Sequence, residues 1–231
     1  MIVIDAGHGG YDPGGGSNIF FKEKDINLKI SKYQFRRLND LGITTKLVRD
    51  NDVTLTPSQR INRIATIGPS SNDILISNHV NVGGDIGGEV IYSIRGDKTL
   101  PNLIATNLNA VGLQIRNVYQ KRGKTGNDYY FVLRQTIPKN AMIIEYGFAD
   151  NAEDTYRLRF YWPRLAEAVV KALCTYLNVT YKPDKYTTYI VKPNDSLYEI
   201  AKNNNTTVTK IMKDNNLTNE KIYPEDILLL Y

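Results

Sequence analysis

Residues 1–16 read MIVIDAGHGGYDPGGG, and the assignment of the fold turns on them. A short apolar run, MIVIDAG, ends in a histidine set between glycines. The run is rich in β-branched residues and bounded by a turn signal, so it reads as a buried strand. The same arrangement returns at residues 73–79, DILISNH, where a second apolar run again ends in a histidine. A third such run, AMIIEYGF at 141–148, carries Glu145 near its end.

Helical patterns lie between these runs. KDINLKISKYQFRRLNDLG, residues 24–42, places Ile26, Ile30, Tyr33, Leu38 and Leu41 at roughly helical spacing, with Gly42 as a stop. ITTKLVR (43–49) reads as a strand, and TPSQRINRIATIG (56–68) as a helix with Pro57 near its start. GEVIYSI (88–94) is a further strand, residues 101–119 a helix, and YFVLRQ (130–135) a strand. Residues 154–178 close the region as helix interrupted at Pro163. Strands alternating with helices predict an α/β domain with a mostly parallel twisted sheet flanked by helices.

Near residue 180 the pattern changes. VTYKPDKYTT (179–188) is short, polar and proline-bearing, as a linker would be. The segment after it reads strand, helix, helix, strand. The expected division is a first domain at 1–179, a linker at 180–187 and a small βααβ domain at 188–231. The formal net charge is +5. In the last segment Lys192, Lys202, Lys210, Lys213 and Lys221 face Asp195, Glu199, Asp214, Glu220, Glu225 and Asp226. The positive excess therefore belongs to the first domain and linker, and suits an anionic partner such as bacterial cell wall.

The composition excludes other classes. No apolar run approaches the roughly 18 residues a membrane-spanning helix needs, so no membrane insertion is expected. Cys174 is the only cysteine and lies in the apolar helical pattern AEAVVKALCTYL, so it reads as a buried thiol and no internal disulfide can form. Asp5 follows directly on the first apolar run, where a secretory signal would have a basic start and a longer apolar centre. The expectation is a protein made in the cytoplasm. The glycine-rich opening lacks the lysine of a phosphate loop and the spacing of a dinucleotide loop. The basic stretch RNVYQKRGK (116–124) has no interleaved aromatic platform and reads as a helix end and exposed loop, so no nucleic acid is expected.

The chemistry-bearing residues converge. His8 and His79 are the only histidines. In a parallel sheet both lie at the carboxyl edge of a strand, where ligand sites form. Two histidines and one carboxylate, with a fourth position left to water, make a catalytic zinc site. The glycines beside His8 allow a sharp turn. Asp12, Glu23, Asp25 and Glu145 are all candidates for the acidic ligand, and pattern alone does not choose among them. A single strand-end histidine is more often structural than ligating; it is the coincidence of three strand ends that favours a site.

IDAGHGGYDPG with Glu23 following, RDNDVTLTPSQR (49–60), SNHVN (77–81) and IEYGFADN (144–151) resemble, in order, the motifs of the zinc-dependent N-acetylmuramoyl-L-alanine amidases of the type-3 family. The resemblance spans about residues 1–178. It implies a bound Zn2+ with His8, Glu23 and His79 as ligands, Glu145 as the catalytic acid–base, and peptidoglycan as substrate. Asn78 stands where the family usually has an apolar residue, and Thr66 where asparagine is common. Arg60 matches the family's helix arginine, in a role either of ion pairing or of substrate contact.

Residues 189–230 resemble LysM, a βααβ module that binds glycans containing N-acetylglucosamine. The resemblance implicates Asn194, Asp195, Ser196, Leu197 and the NNL region in glycan binding. Asn194 and Glu225 replace usual glycines. The functional expectation is an amidase cutting between N-acetylmuramic acid and L-alanine, in the setting of a phage endolysin that acts on the wall after release. The alternatives are a bacterial mother-cell autolysin of the same activity, a zinc peptidase cutting the stem peptide, and a non-catalytic peptidoglycan-binding protein. Oligomeric state is not readable from the sequence.

Overall fold

A computed structural model describes residues 1–231. The chain divides into two compact units, Met1–Lys182 and Pro183–Tyr231. The first is built on a six-stranded sheet. Its centre comes from the three apolar runs: β1 (Ile2–Ala6), β3 (Ile74–Asn81) and β6 (Asn140–Phe148). β1 is buried at every position, as expected for a strand covered by helices on both faces. With β2 (Thr45–Leu47), β4 (Gly88–Tyr92) and β5 (Ile115–Tyr119), the strand order is β2-β1-β3-β6-β4-β5. All neighbours are parallel except β4 and β6, which run antiparallel.

Alternation along the strands sends odd-numbered residues of β1 and β3 to one face and even-numbered residues to the other. On the odd face, Val3, Leu75 and Ile143 pack with Ile64 of α2 (Pro57–Ile67) and Val132 and Leu133 of α4 (Phe131–Arg134). On the even face lie α1 (Glu23–Asp40) and α6 (Trp162–Tyr176), beside α3 (Thr99–Ala110). Tyr33 and Trp162 meet edge-to-face there, with ring centroids 6.0 Å apart. α5 (Ala152–Phe160) precedes α6, whose first turn holds Pro163, so the expected interruption is a junction between two helices. Cys174 is fully buried.

Buried polarity on the even face explains an unusual residue. Asn78 is inaccessible, and its amide donates to Ser31 Oγ and Gln34 Oε1, both at 2.8 Å. Tyr146 Oη donates to Asn78 Oδ1 at 2.9 Å, and Gln34 Nε2 donates to Tyr146 Oη at 2.9 Å. An asparagine in an apolar position is thus satisfied by partners from α1 and β6, as burial requires.

Two sequence expectations are corrected. The helix read over 101–119 stops at Ala110, and residues 115–119 form the edge strand β5. Gly112 sits at φ 95°, a left-handed turn that ends the helix. The stretch RNVYQKRGK is therefore strand and loop, with no helix end. YFVLRQ, read as a strand, contains the single helical turn α4. Adjacent Val132 and Leu133 are both buried there, which a one-sided strand could not achieve.

In the second unit, β7 (Thr187–Ile190) pairs antiparallel with β8 (Ile227–Leu230). α7 (Leu197–Asn203) and α8 (Val208–Asp214) lie between them in sequence. Ser196 and Thr207 cap these helices, accepting from Glu199 N and Lys210 N. Val191, Leu197, Ile200, Ile211, Leu228 and Leu230 form the core. Asn194 at φ 71° and Glu225 at φ 73° adopt the left-handed backbone that glycine would take without strain.

Candidate active site

The site lies where β1 and β3 end. His8 follows β1 at φ 61°, and Gly9 and Gly10 continue in positive φ, so the chain turns sharply over the sheet edge. Gly7 leaves space for His79: a Cβ there would lie 2.2 Å from His79 Cε1. Gly14 does the same for Glu23, whose Oε2 would lie 2.4 Å from an added Cβ.

Glu23 is the first residue of α1 and is 1 % exposed. A buried carboxylate is costly unless compensated, and the compensation is extensive. Gly16 N donates to Oε2 at 2.8 Å, and Val80 N to Oε1 at 3.1 Å. His79 Nδ1 lies 3.1 Å and His8 Nε2 3.2 Å from Oε1. The two imidazoles meet edge-to-face at 5.1 Å. One donor atom from each of His8, Glu23 and His79 lies within 4.8 Å of the others. Two imidazoles and a carboxylate form a donor set suited to zinc, so these residues fit the ion. Of the other acidic candidates, Asp12 Oδ2 lies 2.8 Å from His8 Nδ1. Asp12 thereby orients that ring and leaves Nε2 directed at Glu23. Asp25 and Glu145 stand outside the cluster.

Electrostatics follow the geometry. Burial pushes the His8 imidazole down, but Glu23 and Asp12 outweigh it and raise the group to about 9. Burial likewise pushes the Glu23 carboxyl up, and the two histidines overcome this and hold it well below the usual carboxylate range.

Glu145 stands beside the cluster. It pairs in register with His79 on one side and with Glu89 on the other, so all three project from the same face. Its Oε2 is buried and has no hydrogen-bond partner within the chain. Burial raises the carboxyl to about 7, against the opposing pull of His79. The carboxyl borders a cavity of about 180 Å³ shared with His8, His79, Leu55, Tyr130 and Phe131. An unpartnered buried carboxyl on a residue that lines such a cavity suits proton exchange with a bound molecule.

Of the supporting residues, sequence reading named Arg60, for ion pairing or substrate contact, and missed the structural roles of Asp5, Ser77 and Arg49. Asp5, 1 % exposed, pairs with Arg60 and accepts from Ser77 Oγ at 2.7 Å. Arg60 also donates to the carbonyls of Ala6 and His8, both at 2.8 Å. Arg60 is therefore a buried brace that fixes the His8 backbone. Arg49 donates to the same stretch, to Ala6 O at 2.9 Å and Gly7 O at 2.9 Å. The signal for Arg60's partner was Asp5 itself, a carboxylate inside an apolar run.

In the second unit, Asp195 accepts from Tyr189 Oη and Lys192 N, both at 2.8 Å, and Ser196 caps α7. Leu197 is 2 % exposed within the core, which removes it from any surface a glycan could touch. Asn194 and Asp195 remain at the surface.

Comparison with known proteins agrees with this geometry. The family model for N-acetylmuramoyl-L-alanine amidase, Amidase_3, matches residues 2–175, and that for the LysM domain matches residues 189–230. An uncharacterised protein of Bacillus subtilis, YqiI, is 30 % identical over 182 residues, which cover 76 % of this chain and 84 % of that one. The probable cell wall amidase LytH of Staphylococcus aureus is 31 % identical over 182 residues, covering 77 % of this chain and 58 % of LytH. Among solved structures, the N-acetylmuramoyl-L-alanine amidase AmiC2 of Nostoc punctiforme superposes with a TM-score of 0.66 at 26 % identity. That match covers 77 % of this chain and 96 % of AmiC2.

Proposed function

Since the chain belongs to the N-acetylmuramoyl-L-alanine amidase family and ends in a LysM domain, we propose that it cleaves peptidoglycan as a zinc amidase, with His8, Glu23 and His79 as ligands and Glu145 as acid–base. The bond is the amide between the lactyl group of N-acetylmuramic acid and L-alanine. The observation that carries this reading is the convergence of the three donor atoms within 4.8 Å, beside a buried and unpartnered Glu145 oxygen.

A zinc ion bound there supplies Lewis acidity toward the scissile carbonyl and toward water. The chain's own groups do the rest. Asp12 holds the His8 ring through Nδ1. Arg60 and Arg49 fix the backbone that carries it. Glu145 takes the proton of the attacking water at its carboxylate and returns a proton to the alanine nitrogen, which leaves as an amine. Water adds to the carbonyl carbon, the carbon–nitrogen bond breaks, and the products are a lactyl carboxylate and a free amino terminus. Such proton transfer is worth roughly 10²–10⁴ in rate.

For the biological role we propose an endolysin, made in the cytoplasm and acting on the wall after release; the pairing of wall-cleaving and glycan-binding units supports action on intact wall. The test of activity is product analysis on purified wall with and without chelator. Appearance of free L-alanine amino groups that chelation abolishes is expected. New amino groups from other stem residues would reassign the protein to the peptidases. The test of role is cytoplasmic expression with and without a membrane-permeabilising protein. Lysis only on permeabilisation is expected, and lysis in both conditions would contradict the proposal.

A further inference from the structure

The loop between β5 and α4 takes no part in the proton transfer assigned above, yet it ends at the cavity. Tyr130 lines the space that Glu145 borders. The Lys121 ammonium lies 4.4 Å from the ring centroid of Tyr129 and 5.5 Å from that of Tyr130. Both distances are within cation–π range. The two rings stand edge-to-face, 5.0 Å apart. Aromatic neighbours thus do accompany the basic stretch; they come from eight and nine residues further on, where the loop has turned back.

The platform is held in place. Asp128, 3 % exposed, accepts from Ser93 Oγ at 2.7 Å and Ile94 N at 2.9 Å. Tyr129 N donates to Lys121 O at 2.8 Å, and Arg134 Nη1 donates to the carbonyls of Asp128 and Tyr129, both at 2.7 Å. Lys121 itself rests on the two rings and pairs with no carboxylate of the chain. Of the two rings it rests on, that of Tyr130 is the one that also lines the cavity.

The substrate offers a matching anion. In a stem peptide the residue after L-alanine carries an α-carboxyl group that is either free, as in D-glutamate, or amidated, as in D-isoglutamine. An extended chain advances roughly 3.5 Å per residue, so this group lies about 7 Å from the scissile nitrogen. We propose that Lys121, seated on Tyr129 and Tyr130, is the binding subsite for this carboxylate, and that the enzyme accordingly prefers D-glutamate stems to amidated ones. The proposal rests on the amidase reading. A compact ammonium suits a single carboxylate, and the amide presents no charge to it.

The test uses the full chain, zinc-loaded, and two synthetic muramyl dipeptides that differ only in D-glutamate against D-isoglutamine. At low ionic strength the wild type should show kcat/KM about fivefold higher for the acid, the upper range of an exposed ion pair. Lys121→Met should abolish the preference by lowering kcat/KM for the acid about fivefold, and Lys121→Arg should keep it. Binding of both dipeptides to Glu145→Gln protein should show the same preference without turnover. Equal affinities and equal kcat/KM for the two in the wild type would overturn the subsite, as would a proportional loss on both in Lys121→Met. Failure of the wild type to cleave either dipeptide would instead overturn the amidase reading, and the binding measurement would still decide the subsite.

Discussion

Gly7 shows how little freedom the site allows. A methyl group there meets the His79 ring at 2.2 Å, and the ring cannot yield without leaving Glu23. Gly7→Ala should therefore lose zinc affinity and activity together, read by metal titration and wall turbidity, whereas unchanged affinity would mean His79 is not held by this contact. Glu145 answers to a different measurement. Glu145→Gln keeps the shape of the side chain and removes its proton exchange, so lysis should fall by about 10²-fold or more with the melting temperature nearly unchanged. Near-normal turnover would end its assignment. Much of this was legible. His8, His79 and Glu145 each sit at the end of an apolar run, and the pattern marks strand ends directly. Pattern alone did not choose Glu23 from four candidate carboxylates; the motif resemblance did, and what distinguishes it physically is burial against Gly14, Gly16 and Val80, which spacing does not reveal. Leu197 was misread for a similar reason, since a leucine in a binding motif and a leucine in a core look alike in sequence.

At the scale of elements, α2 does the most for its length. Thr56 and Gln59 form a reciprocal cap, Gln59 N donating to Thr56 Oγ1 at 3.3 Å and Thr56 N to Gln59 Oε1 at 2.9 Å. Gly68 closes the helix in left-handed conformation. So fixed, α2 presents Arg60 to Asp5 across 55 residues of sequence. Arg60→Met leaves the Asp5 carboxylate buried without its cation, a loss of roughly 3–5 kcal/mol. For a unit of this size that is a fall in Tm of about 6–20 °C, measured by calorimetry on the apoprotein. Asp5→Asn in the same chain should recover part of it. A change below about 1 kcal/mol, the range of an exposed pair, would mean the pair is not the brace described. Sequence pattern placed the apolar-run strands β1, β3, β4 and β6 and the helices α1 and α2. YFVLRQ was ambiguous because six apolar-rich residues satisfy strand and helix equally, and packing against Ile64 and Ile143 decides it. β5 was hidden because apolar spacing continues through Gly112, and only the backbone conformation of that glycine breaks the helix.

For the whole molecule, the division at Lys182/Pro183 sets an expectation about labour. A chain ending at Lys182 retains His8, Glu23, His79 and Glu145, and should hydrolyse soluble muramyl dipeptide at the full-length rate. It should bind intact wall less well, because a tethered glycan-binding unit raises the local concentration of the catalytic one. The acidic balance of the second unit leaves the positive charge on the first, whose attraction to anionic wall polymers is screened by salt. The defect in wall pull-down should thus grow from low to high salt; equal binding at high salt would show that the LysM unit does not target this protein. The proposed activity depends on the zinc site, whose most direct test is the zinc content of three purified full-length proteins, wild type, His79→Ala and Glu145→Gln, loaded under identical conditions and measured by mass spectrometry. One zinc per chain in the wild type and in Glu145→Gln, with loss of zinc in His79→Ala, is the expected result, and full occupancy in His79→Ala would contradict it.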